Sequence, residues 1–215
     1  MRRSLRLAAT AILLAGLVGT VPAPANQNEA AKVTAVIARS KLTRSTYAVY
    51  FWNRIQPPGQ EAAEEWSAEF NSGSLHRVET PRDRLIADCA AHTGTYLSLV
   101  THEVVTGPQI AGVACGINTN RPFLALEALG RVKIRFIDAD RVRVTDAENV
   151  RTYDISDDGI ILRTTFETND ARHLLVLDVE AVEVSRSLPS SNIFDKASLN
   201  MSFVPDRLKA APRPR

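Results

Sequence analysis

The stretch from Val132 to Val184 confines this chain to a largely antiparallel β fold. Val132, Ile134 and Phe136 alternate with Lys133 and Arg135, and Val142 and Val144 resume the alternation; VRTYDI, IILRTTF and HLLVLDVEAVEV follow. A period of two puts one face of each segment into a core and leaves the other in water. The interruptions are Asp138-Ala139-Asp140, Asp146 to Asn149 and Asp157-Asp158-Gly159, residue types that form tight turns. Short strands joined in this way make a meander. In the last strand the apolar phase changes, from odd at Leu175, Leu177 and Val179 to even at Val182 and Val184. A β-bulge near Glu180 reconciles the two.

Upstream, Val33, Val36 and Ile37 recur at helical spacing, which predicts a helix over 29–42. TYAVYFW, over 46–52, is aromatic and β-branched and reads as a strand, closed by the prolines of QPPGQ. Trp66, Ala68 and Phe70 alternate with polar neighbours, Gly73 marks a turn or bulge, and the pattern resumes through Leu75 and Val78 until Pro81.

Composition bears on compartment and partners. The chain opens with Arg2, Arg3 and Arg6, an apolar run from Leu7 to Val21 and then Ala23-Pro24-Ala25, the pattern of a secretory signal peptide over 1–25. The apolar run is shorter than the ~20 residues needed to span a bilayer. The whole chain has 26 Lys+Arg against 24 Asp+Glu. Losing three arginines with the leader brings the two counts nearly level, so net charge gives no support to nucleic-acid binding. About 190 residues remain, enough for one domain with a core. Residues 26–197 form that domain, and 198–215, ending in KAAPRPR, read as a partly disordered tail. In an oxidising compartment the only two cysteines, Cys89 and Cys115, are expected to bridge, which the chain-entropy model credits with roughly 3.5 kcal/mol.

No residue pattern points to catalysis, a metal or a cofactor. The four histidines, His76, His92, His102 and His173, form no HExxH, and no GxSxG elbow, Walker loop or dinucleotide fingerprint occurs. His76 reads as a solvent-facing strand residue. Asp154, Ser156, Asp158 and Gly159 match the start of an EF-hand loop, but Thr165 stands where its bidentate glutamate belongs, so a hairpin turn is the simpler reading. Asp138, Asp140, Asp146, Asp157 and Asp158 are all read as turn formers.

Three stretches resemble the periplasmic lipoprotein carrier (LolA-like) family: Gly73-x-Leu75 followed by Pro81 and Arg84; LIADC with TGTYLSL; and DDGIILRTTF, LLVLDVEAVEV and SLPSSNIFD, with its exit from Leu188 to Phe194. The resemblance implies a mainly β (α+β) fold, a single curved antiparallel sheet or unclosed β-barrel with the N-terminal helix as lid. It also implies an apolar cavity for acyl chains, with Arg84 tying barrel to lid. The family's arginine before the proline is Thr80 here, and aromatic content is only 6%. The expected function is that of a non-enzymatic periplasmic protein binding a lipid or acylated protein partner, with only peripheral or transient membrane contact. Candidate lining residues, chosen from shared strand faces, are Trp66, Phe70, Val132, Ile134, Phe136, Tyr153, Ile155, Leu175 and Leu177. The alternatives are an envelope interaction protein with a filled core and an envelope hydrolase built around His76, His92 and Asp88.

Overall fold

The computed structural model describes residues 27–42, 45–117, 122–170, 172 and 174–210. The leader at 1–25, His173 and the last five residues of the tail lie outside the described residues.

Eleven strands form one antiparallel sheet. They are β1 (Tyr47–Ile55), β2 (Ala63–Ser72), β3 (Leu75–Glu79), β4 (Asp83–Asp88), β5 (Thr93–Ser98), β6 (Val104–Gly107), β7 (Ala125–Ile134), β8 (Ile137–Thr145), β9 (Asn149–Ser156), β10 (Ile161–Thr168) and β11 (Leu175–Ser185). Their order is β6-β5-β4-β3-β2-β1-β11-β10-β9-β8-β7. Two meanders therefore meet where β1 pairs with β11, while β6 and β7 remain as edges and the sheet stays unclosed. Two helices accompany it, α1 (Gln27–Leu42) and α2 (Pro108–Ala114).

The central position of β1 explains why TYAVYFW is apolar almost without interruption. Tyr47, Val49 and Phe51 enter one cluster with Ile134, Ala139, Leu162 and Ala181. Ala48 and Tyr50 point the other way, into a cluster with Trp66, Ala68, Phe70, Ile193 and Val204. A strand covered on both faces has no need of polar alternation. α1 buries Val33 and Ile37 against Val142, Val144, Tyr153 and Ile155, so the predicted helix lies over the β7–β9 part of the sheet. Arg39 and Arg131 anchor that helix and strand through Asp140 and Asp157.

Four features differ from the sequence reading. The β7–β8 turn is Arg135-Phe136, at φ 48° and 68°, whereas Asp138 and Asp140 lie within β8. Those aspartates are held by Lys133 and by Arg39 and Arg131, so their charge is satisfied across strands and does not mark a turn. The β11 bulge falls at Val182, since Phe51 pairs with Ala181 and Tyr50 with Glu183, two residues beyond the expected place. α2 had no helical period to announce it: seven residues beginning with Pro108 carry only Ala111 and Ala114 as buried contacts. The packed chain also runs past residue 197, because Leu199 and Val204 are buried and 3-10 turns span Lys196–Ser198 and Asp206–Leu208.

Candidate functional site

A cavity of about 450 Å3 opens between β1–β4 and the two helices. Its floor is the face of β1, β2 and β3 that carries Tyr47, Glu69, Asn71, His76 and Val78, with Leu85 from β4. These side chains converge because paired residues share a face: Tyr47 opposes Asn71, Asn71 opposes His76, Glu69 opposes Val78, and Val78 opposes Leu85. The walls come from Ser40 and Lys41 at the end of α1, from Val113 to Gly116 at the end of α2, and from Ile161.

The wall formed by α2 is fixed in two ways. Cys115 is bonded to Cys89 at the end of β4, with Cα atoms 5.6 Å apart, as the redox argument anticipated. Close packing does the rest. A Cβ on Gly94 of β5 would stand 2.8 Å from the Ile110 side chain and 3.0 Å from a backbone oxygen of Ile86, so only glycine lets the helix approach this strand.

The polar part of the floor has an unusual electrostatic state. His76 is buried, contrary to its reading as a surface residue, and desolvation lowers its pKa to about 4. It is neutral at pH 7. Asn71 donates through Nδ2 to the Ser45 carbonyl at 2.7 Å, which turns its Oδ1 toward His76 Nδ1 at 3.4 Å. That oxygen can only accept, so Nδ1 carries the imidazole proton and Nε2 presents a lone pair. Glu69 Oε2 lies 3.9 Å from Nε2, and desolvation raises the carboxyl's pKa to about 7. The Glu69 carboxyl has no hydrogen-bond partner among the described residues. Burial and the neighbouring Glu69 also push the Tyr47 phenol well above its ordinary range.

None of the nine side chains expected to line a cavity lines this one. Trp66 and Phe70 lie on the opposite face, under residues 188–208. Tyr153 and Ile155 pack beneath α1. Val132 and Ile134 belong to the cluster around Phe51, which is filled. Leu175 is exposed, and Leu177 is partly buried at the start of β11. Phe136 is 86% exposed, because it forms the turn. The residues that do line the cavity are mostly polar and small, and apolar alternation gave no signal for them.

Arg84 is a tie, but to a different partner. It contacts the carbonyls of Met201, Thr80 and Asp83 and stacks over Trp66, so it clamps the C-terminal segment to the face opposite α1. Arg77, fully buried beside it, makes the larger contribution. All five of its N–H groups donate, to Glu79, to the Ile193, Ser198 and Met201 carbonyls and to the Ser198 hydroxyl, at 2.7–3.1 Å. Glu79 in turn accepts from Ser202 Oγ and the Phe203 backbone.

The structure does not assemble His76, His92 and Asp88 into one site. His92 is exposed in the β4–β5 turn, while Asp88 accepts the Ala90 and Ala91 N–H groups of that turn. Among the described residues no group of three or more His, Cys, Asp or Glu could hold a metal.

No family model and no curated protein matches the sequence. Solved structures of similar fold do exist. An uncharacterized conserved protein from Thermus thermophilus is similar at 13% identity, over 86% of this chain and 94% of that one, with a TM-score of 0.50. A LolA superfamily protein from Nitrosomonas europaea is similar at 10% identity over 78% and 99% of the two chains, with a TM-score of 0.42. MucB in complex with MucA is similar at 12% identity over 73% of this chain and 55% of that one, with a TM-score of 0.43. At 13% identity and a TM-score of 0.50, the first of these likenesses concerns the fold alone.

Proposed function

We propose that this chain is a non-enzymatic binding protein of the cell envelope, which holds a small lipid or the acyl chain of an acylated partner in the cavity between its sheet and helices. The observation that carries this reading is the cavity itself. Its volume of about 450 Å3 lies within the range of small-molecule sites, and Val78, Leu85, Val113 and Ile161 supply apolar wall around a few convergent polar groups. Export to the periplasm is supported by the leader pattern and by the Cys89–Cys115 bridge, which belongs in an oxidising compartment. No helix among the described residues is long and apolar enough to cross a membrane.

A fluorescent fatty-acid probe tests the reading. The protein is expected to bind it at one site, and Leu85→Trp, which fills the apolar end of the cavity, is expected to abolish uptake while circular dichroism stays native. Uptake unchanged by Leu85→Trp would place the probe elsewhere and refute the assignment.

A further inference from the structure

At the polar end of the cavity His76 Nε2 and a Glu69 carboxyl oxygen face each other. Neutral His76 offers the Nε2 lone pair, and Glu69 Oε2 faces it from 3.9 Å, a gap too long for a direct hydrogen bond. His76 is buried while the Glu69 side chain is 31% exposed on the cavity lining, so a group entering the cavity can reach both acceptors with two or more N–H bonds. The remaining surroundings narrow the choice. Among the described residues, Glu69 is the only acidic side chain on the lining, and Lys41, exposed at the end of α1, is the only basic one apart from His76. The apolar wall of Val78, Leu85 and Ile161 lies on the same cavity.

We propose that the cavity recognises a primary ammonium group carried on an aliphatic body, with Glu69 and His76 Nε2 receiving its N–H bonds. This rests on the cavity being a ligand site and names the class of head group that it selects. An ammonium placed there stabilises the Glu69 carboxylate and lowers a pKa that desolvation otherwise holds near 7, so binding near pH 6 releases a proton.

The test is calorimetry with three probes of one chain length, octylammonium, octanol and octanoate, on wild type and on Glu69→Gln, which keeps the side-chain shape. Octylammonium is expected to bind wild type at least about tenfold tighter than octanol, as a charge-assisted contact implies. Titrations at pH 6 in two buffers of different ionisation enthalpy are expected to show proton release. Glu69→Gln is expected to lose both the preference and the released proton. If octanol binds but the ranking is the same in both proteins, or if octanoate is preferred, the ammonium assignment is overturned and the cavity reading stands. If none of the three binds, the cavity reading falls and the assignment with it.

Discussion

Glu69 and His76 stand on neighbouring strands, and desolvation, more complete at His76, moves them in opposite directions. The folded chain holds the Glu69 proton up to about pH 7, whereas the unfolded chain releases it near 4.5, so between those values folding binds protons and stability falls as pH rises. For His76 the folded pKa is about 4 against 6.5 unfolded, so stability falls as pH drops through that interval. Glu69→Gln removes only the first dependence. Urea unfolding is expected to show little gain over wild type near pH 4.5 and a gain on the order of 1–3 kcal/mol at pH 8; a difference that does not vary with pH would contradict the assignment. At the far end of the sheet, Phe136 holds a bulky side chain at φ 68° in a turn type that favours glycine. Phe136→Gly is expected to raise the denaturation midpoint, corresponding to about 1 kcal/mol, with no effect on cavity binding. Neither residue was legible in its true role. Alternation assigned His76 to solvent because its strand has both faces covered, and it assigned Phe136 to a core because the turn came earlier than the aspartates suggested.

At the scale of the element, the least legible part was the C-terminal segment. SLPSSNIFDKASLNMSFVPDRL has neither helical nor strand periodicity, and it packs through isolated residues, Ile193 and Val204, onto a face built from Trp66 and Phe70. Its fastening is polar. Arg77, Glu79 and Arg84 are buried, and the carbonyls of a segment without regular structure receive their donors from those two arginines. Arg77→Met removes five hydrogen bonds and weakens the compensation of the Glu79 charge, and is expected to cost about 3–5 kcal/mol. The double variant Arg77→Met with Glu79→Leu should recover part of that loss, and limited proteolysis of the single variant should cut first within 193–203. Cleavage elsewhere, or a loss below about 1 kcal/mol, would show that the segment is held by its apolar contacts alone. The strand-rich half was legible by contrast, because the turns at 146–149 and 157–159 do what their residue types dictate: Asp146 accepts the Glu148 and Asn149 N–H groups, and Ser156 accepts from Ile160.

Over the whole molecule, an open sheet of two meanders divides into a filled half and a hollow one. Under α1 and around Phe51, side chains of β7–β11 pack into continuous clusters, which is where the candidates Val132, Ile134, Tyr153 and Ile155 went. Over β1–β4, smaller and polar residues leave the cavity, and the disulfide and α2 keep it walled. Apolar periodicity therefore located the core accurately and the cavity not at all, because a hollow is defined by side chains that stop short. If the proposed function holds, this hollow is occupied in the cell. Native mass spectrometry on the protein purified from its own host, followed by denaturing extraction, reads that occupancy. An adduct of one small amphipathic molecule per chain is expected, present in wild type and missing from Leu85→Trp; a mass equal to that of the bare polypeptide, unchanged when lipid extract is added back, would refute occupancy.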